Sequence, residues 1–285
     1  MDNFFIHFVL CNITIGLFVL ILLCMKRIFK HCLTPRMQFN LWIPFTISLL
    51  VPFLPVSFST LSTKMQDLFH PLAHFSHTVH TTNTSEYTSS STNQIYDYAI
   101  SMRTQFPVYI STIFCVIWGI GMFVMLFSFV RSLVLLHHMR RTANLMQDKR
   151  IHDIYMTCLS ELQLRKSIPL YSSSIIDTPV STGILRPAIF LPLHHISNFE
   201  EQEIRYILLH ELMHCYYKDA IFNYCMNIIR ILYWFHPLIW LITKEFYTER
   251  ELACDTSVLR LLGANEQISY GVTLLHFVDK QTNTP

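Results

Sequence analysis

Apolar side chains crowd the first half of the chain in long runs, whereas the second half breaks into shorter alternating and helical patterns. Crossing a hydrocarbon core of about 30 Å takes roughly 20 helical residues. Residues 4–25, 41–58 and 107–130 supply runs near that length and predict three transmembrane helices. The second holds Pro44, Pro52 and Pro55, which predict a kinked helix. Between the second and third, residues 59–106 carry the Ser/Thr runs 81–85 and 89–92, too polar for a core of their own, and read as a flexible loop. His70, His74, His77 and His80 recur there at helical spacing and are read as part of that loop.

After residue 130 the pattern changes. Residues 131–166 mix Arg, Lys, Leu and Met at helical spacing without internal Pro or Gly and predict a helix. Short strands follow over 168–176, 179–185 and 187–192, joined by turns at Asp177-Thr178-Pro179 and Arg186-Pro187. The prolines point to edge strands, and Gly183 to a bend. Asn198 is a candidate cap for an acidic helix start, Glu200 to Glu203, whose carboxylates suit the positive end of the helix dipole. The expected architecture is membrane α-helical plus α+β, with a membrane part over 1–130 and a second domain over 131–285.

Composition agrees with lipid burial. Hydrophobic residues make up 52% and charged residues 14%, against roughly a quarter charged in ordinary globular chains. A net charge of +2 argues for no nucleic-acid partner. Its distribution is more telling. Lys26, Arg27, Lys30 and Arg36 lie between the first two spans, and Arg131, Arg140, Arg141, Lys149 and Arg150 follow the third. Both segments are therefore expected in the cytoplasm, with the N-terminus and the loop 59–106 outside. The opening Met-Asp-Asn and the long apolar run read as an anchor, not a cleaved leader. The cysteines, Cys11, Cys24, Cys32, Cys115, Cys158, Cys215, Cys225 and Cys254, form no CxxC pair and read as thiols.

The candidate chemistry lies in His210-Glu211-Leu212-Met213-His214, an HExxH stretch within a predicted helix. Histidines four apart share a helix face and can bind one ion. Glu211 follows the first of them, which sets its carboxylate over the ion's open position as a general base. Chance yields such a motif in this composition about 0.03 times. A catalytic zinc takes a third protein ligand. Glu251, opening Glu251-Leu252-Ala253-Cys254-Asp255, is preferred over Glu249, which points elsewhere on the same helix. Asp255 is placed to hydrogen-bond a ligating histidine from behind. Asp219 is a candidate for the same task or an exposed helix-end carboxylate, and Cys215 and Cys254 read as core residues. Residues 221–243 are apolar but interrupted by Asn227, Arg230 and His236. A crossing there would put Glu251 outside and the histidines inside, so the stretch is expected to be buried or re-entrant.

These features together resemble the antirepressor-type membrane metallopeptidases, of which the BlaR and MecR β-lactam sensor-transducers are familiar members. The likeness rests on the three spans, Ser172 to Pro179, Gly183 to Leu185, Ile189 to Pro192, Ile207 to His214 with Asp219, Trp234 to Trp240, and Glu251 to Asp255. It implies a gluzincin-like cytoplasmic domain in a multi-pass bacterial membrane protein, with zinc on His210, His214 and Glu251 and with Glu211 as base. It also implies a peptide or protein substrate in a pathway that ends in cleavage of a transcriptional repressor. No SxxK-containing penicillin-binding segment precedes Pro285, so a truncated or sensorless member is expected.

A substrate peptide is expected to pair with an edge strand near 187–192. The second oxyanion donor stays open among His236, Tyr216, Tyr217, Tyr247 and Arg250. Two other readings stand beside the regulatory endopeptidase: a housekeeping membrane zinc protease of the heat-shock type, and a catalytically idle membrane fragment.

Overall fold

The structure, a computed structural model, describes residues 2–29, 32–50, 108–164, 166–192, 196 and 199–282. The end of the expected second span, the loop 59–106 with its histidines, and Asn198 lie outside the described residues. The chain divides into two compact units, Met1–Phe18 with Ile47–Ile120 and Val19–Thr46 with Gly121–Pro285.

Four helices come first: α1 (Asp2–Phe29), α2 (Pro35–Asn40), α3 (Trp42–Leu50) and α4 (Val108–Thr142). Among the described residues one stretch, Thr112–Thr142 of α4, is long and apolar enough to cross a membrane. Its Phe123, Val124, Phe127 and Val130 side chains are exposed, as a lipid-facing helix requires. α2 follows Thr34, whose hydroxyl accepts the Met37 N–H, and begins on a proline at its first turn. Its Phe39 is fully buried and meets Phe222 edge-on at 5.7 Å and Phe246 at 5.4 Å.

The expected helix over 131–166 is broken. α4 stops at Thr142, a short strand β1 (Asn144–Leu145) follows, and α5 spans Lys149–Glu161. No proline or glycine marks the break. β1 pairs antiparallel with β2 (Leu170–Ser173), and the Asp148 carboxylate accepts the Arg150 N–H at 2.9 Å to start α5. Long-range pairing and a local cap together outweigh helix propensity.

The sheet is completed by β3 (Val180–Thr182) and β4 (Ala188–Pro192), in the order β1-β2-β4-β3. β4 runs parallel to β2, with Leu170 opposite Ile189, and antiparallel to β3, with Val180 opposite Phe190. The expectation of an edge strand at 187–192 is therefore wrong. β4 is central and buried along its whole length, because Pro187 precedes it and Pro192 ends it, where a missing N–H costs the ladder least. Among the described residues the strands at the two edges of the sheet are β1 and β3. Gly183, at φ +106°, turns the chain out of β3, and a Cβ there would meet the Arg186 carbonyl oxygen at 2.4 Å.

α6 (Glu201–Tyr217) packs over this sheet with Ile204, Leu208 and Leu212 buried against Ile189 and Leu191. The Glu200 N–H donates to the Glu203 carboxylate at 2.9 Å and settles the start of the helix. Lys218 ends it in the left-handed conformation, φ 57°, and α7 (Asp219–Leu232) leaves at once in a new direction. After a turn at 233–236, α8 (Pro237–Leu262) comes back alongside α7. The apolar stretch 221–243 is thus a helical hairpin, not one straight crossing. α9 (Gln267–Thr282) closes the domain. Cys24, Cys32, Cys115, Cys158, Cys215, Cys225 and Cys254 are free thiols.

Gly183→Ala is expected to destabilise the chain by about 1–3 kcal/mol, through backbone strain and the clash with the Arg186 carbonyl. Gly271→Ala, in a helix with open space around it, serves as the comparison. Thermal unfolding of the two variants in detergent checks this; equal midpoints would refute it.

Candidate metal centre

Two helices supply the centre. α6 presents His210 and His214 on one face, and α8 brings Glu251 across from them. Nε2 of His210 and Nε2 of His214 lie 3.2 Å apart. Glu251 Oε2 lies 3.5 Å from the first and 3.4 Å from the second. An ion with ligands at about 2.0–2.1 Å in tetrahedral array has ligand-to-ligand edges of about 3.3–3.4 Å. Two nitrogens and one carboxylate oxygen at these separations could hold such an ion and leave a fourth position open.

Each imidazole is gripped on its other nitrogen. His214 Nδ1 donates to Asp219 Oδ2 at 2.8 Å, and His210 Nδ1 lies 3.1 Å from Asp255 Oδ1 and 3.0 Å from the Tyr270 hydroxyl. Tyr270 also donates to Asp255 at 2.8 Å. An Nδ1–H fixed in this way leaves Nε2 with its lone pair facing the centre. Asp219 is buried, so the exposed helix-end reading of that residue is wrong. The left-handed turn at Lys218 swings Asp219 back beneath the helix it follows.

Charge in the cluster follows from these contacts. Burial works against a protonated imidazole in the His210–His214 pair, but hydrogen bonds to Asp255 and Asp219 outweigh it and hold a proton on the pair above the usual imidazole range. Burial likewise opposes ionised Glu251, yet hydrogen bonds from both histidines and the Arg250 charge hold it far below the usual carboxylate range. Burial pushes Tyr270 up, keeping its phenol protonated as a donor. Two N–H groups cannot face each other across 3.2 Å, so in the metal-free protein the Nε2 pair shares one proton.

Glu249, the competitor of Glu251, is occupied elsewhere. Its carboxylate takes a salt bridge from Lys26 and accepts the Trp42 indole N–H at 2.7 Å. Cys254 is the other neighbour to weigh. Its sulfur lies 3.8 Å from His210 Nδ1, and the ligand atoms of His210, His214 and Cys254 fall within 4.8 Å of one another. The sulfur also lies 3.5 Å from the His210 carbonyl oxygen, so it packs against the backbone of α6 as well as the imidazole.

Glu211 projects from α6 into the same cleft, a cavity of about 840 Å³. It is buried, and no hydrogen bond holds its carboxylate among the described residues. β3 forms one wall of the cleft through Val180, Ser181 and Thr182. Of the five oxyanion candidates only Arg250 lines it. Arg250 binds Glu251 Oε1 and Asn223, whereas Tyr247 packs on Phe246, Tyr217 lies under Arg36, Tyr216 is exposed and His236 sits in the turn between α7 and α8. Tyr270 and Trp42 escaped the sequence reading, and Lys26 and Arg36 were read only as loop charges, since no fixed spacing ties any of them to the HExxH motif.

A family model described as BlaR1 peptidase M56 matches residues 6–284. The chain is 30% identical over 285 residues to Regulatory protein BlaR1 of Bacillus licheniformis, covering 99% of this chain and 47% of that protein. It is 25% identical over 248 residues to the Methicillin resistance mecR1 protein of Staphylococcus aureus, 84% of this chain and 40% of that one. Regulatory protein BlaR1 of Staphylococcus aureus is 22% identical over 278 residues, 93% and 44%. The chain thus spans less than half the length of these relatives. With that match running almost end to end and two histidines, a glutamate and an unpaired carboxylate gathered in one cleft, the chain belongs to the BlaR1 peptidase M56 family of metallopeptidases.

Proposed function

We propose that this chain is a membrane-bound zinc endopeptidase of gluzincin type, with His210, His214 and Glu251 as ligands, Asp219 and Asp255 orienting the histidines, and Glu211 as general base. The observation that carries the proposal is the triangle of two Nε2 atoms and one Oε2, 3.2–3.5 Å on each side, beside an unpaired buried carboxylate. Two imidazoles and a carboxylate are the donor set of catalytic zinc in such peptidases. Cys254 is left as a packing residue behind His210.

Zinc bound there supplies a Lewis acid that acidifies water and polarises a carbonyl. The chain's own residues do the rest. A substrate peptide pairs its backbone with the free edge of β3, which brings its scissile bond over the face of α6 that carries Glu211. Glu211 accepts the proton of the attacking water and returns it to the departing amine nitrogen. Arg250, once released from Glu251 Oε1, is a cation of the cleft wall that would support negative charge on the carbonyl oxygen.

The peptidase part covers 131–285, with residues 19–46 in the same compact unit, and residues 1–130 form the membrane part. The charge asymmetry of the loops supports a multi-pass protein of the bacterial cell membrane, N-terminus outside and peptidase in the cytoplasm. Similarity to BlaR1 and mecR1 proteins favours regulatory proteolysis in a β-lactam-type resistance pathway, with a transcriptional repressor as the substrate class, over a housekeeping protease of heat-shock type or an idle fragment. The hairpin α7–α8 is re-entrant in this reading, dipping into the inner leaflet and returning.

Glu211→Ala is expected to lower peptide cleavage by about 10²–10⁴-fold while zinc content is unchanged, and Glu251→Ala to lose zinc. Metal analysis after dialysis and a cleavage assay with a repressor fragment check both. Equal cleavage by wild type and Glu211→Ala would exclude the enzyme reading, and full zinc affinity in Glu251→Ala would exclude the third ligand.

Because hydrogen bonds to carboxylates raise both histidines, a proton occupies the Nε2 pair at neutral pH and must leave when zinc binds. Zinc affinity is expected to fall as pH drops from 8 to 6.5, by about tenfold per unit for one displaced proton, with proton release on binding. Competition with a chelator across that range, in weakly buffered solution, measures both. A flat profile would contradict the shared proton.

A further inference from the structure

Arg36 lies in the short segment between the first two apolar stretches, where a basic residue needs only to be present and charged to favour cytoplasmic placement. Its surroundings are more specific than that task demands. The side chain is only 17% exposed. Its guanidinium carbon lies 3.4 Å from the centroid of the Tyr217 ring and 5.3 Å from that of Phe39, so the planar group is stacked and its rotamers are restricted. Tyr217 is the last residue of α6, one turn beyond His214.

The guanidinium faces Asp219. Nη2 stands 3.6 Å from Asp219 Oδ1, an ion-pair distance. The Asp219 side chain is 2% exposed, and its other oxygen, Oδ2, accepts from His214 Nδ1. Oδ1 has no hydrogen-bond donor among the described residues. Burying a carboxylate this deep is costly unless a counter-charge stands beside it. Arg36 provides it.

We propose that Arg36 is a positioning residue of the metal centre: by holding Asp219 it sets the His214 ring, which makes the segment between the first two apolar stretches part of the site. The inference rests on the reading of His214 as a zinc ligand. The flank of the third ligand repeats the design. Lys26 and Trp42 hold Glu249, two residues before Glu251, and the Lys26 ammonium lies 3.9 Å from the Trp42 ring centroid. Phe39, Trp42 and Phe246 pack the same segment onto α8. Displacement of α1 or α2 therefore reaches both ligand-bearing helices through charged contacts.

The test uses the full chain in detergent, with zinc affinity read by competition against a fluorescent chelator and folding read by thermal unfolding of the metal-free protein. Arg36→Ala is expected to weaken zinc binding about tenfold, at the low end of what losing a partner behind a ligand costs. Arg36→Lys, which keeps the charge and loses the stacked plane, should recover part of it. Arg27→Ala removes an equal charge from an exposed position in the same segment and should leave affinity unchanged. Arg36→Ala with Asp219→Asn should bind no more weakly than Asp219→Asn alone, because Arg36 acts through Asp219. If Arg36→Ala does not fold, Arg36→Gln, which preserves shape and drops charge, carries the comparison. Affinity within twofold of wild type in a folded Arg36 variant, or fully additive losses in the double variant, would overturn the proposal. His214→Ala separates the two failures: if it too keeps zinc, the metal reading is what fails.

Discussion

Three donor atoms from two helices must meet at sides of 3.2–3.5 Å, and most of the architecture serves that meeting. Two of them come free with helix geometry, since residues four apart on α6 share a face. The third comes from residue 251, and the chain between has to leave α6 and return to it. It does so as the hairpin α7–α8. The left-handed Lys218 aims the outgoing helix, and the turn at 233–236 sends the returning one back past His210 and His214. A continuous helix through 218 would have carried Asp219 to the wrong side of His214.

Carboxylates surround this triangle on its outer side, and their burial is its main electrostatic cost. Each is offset by a specific neighbour. Asp255 accepts from Tyr270, Asp219 faces Arg36, Glu249 faces Lys26 and Trp42, and Glu251 faces Arg250. Glu211 has no such neighbour among the described residues, which is what the proposed role of general base calls for. The contrast between carboxylates that are held and one that is not separates the proposed orienting groups from the proposed base more clearly than burial does, because Glu211 and Asp219 are both buried.

Periodicity and short spacings explain which parts of this were legible in the sequence. His210, Glu211 and His214 lie within one helical turn, and Glu251 with Asp255 within another, so the chain itself displays those relations. Asp219 was half legible: its distance from His214 is short, but its burial depends on the positive φ of Lys218, a conformation that lysine does not announce. Tyr270 and Arg36 reach the site only through tertiary packing, with 60 residues between Tyr270 and His210, and no local pattern marks them. The strand misassignment has a similar origin. Prolines in 187–192 suggested an edge, but their places at the two ends of β4 let that strand be central and leave β3 facing the cleft. The break after Thr142 was hidden because the pairing of Asn144 with Ser172 is a contact across the chain.

The hairpin also answers how polar side chains can interrupt an apolar stretch near a membrane helix. Asn223, Asn227 and Arg230 of α7 line a cavity with Ser128 and Ser132 of α4, while Ile228, Trp240 and Leu241 are exposed. The Arg230 guanidinium lies 4.6 Å from the Trp240 ring centroid, and the Trp234 indole packs so tightly on α4 that only a glycine fits at 121. Gly121 lies nine residues before Val130, about 14 Å along the helix, which sets the hairpin tip beside the apolar part of α4. Polar groups facing a protein-lined cavity and apolar groups facing outward are compatible with the re-entrant placement proposed for this hairpin. A hairpin of this kind keeps Asp219 and Glu251 at its same open end, so one arm supplies the carboxylate that accepts from His214 Nδ1 and the other the carboxylate that faces both Nε2 atoms.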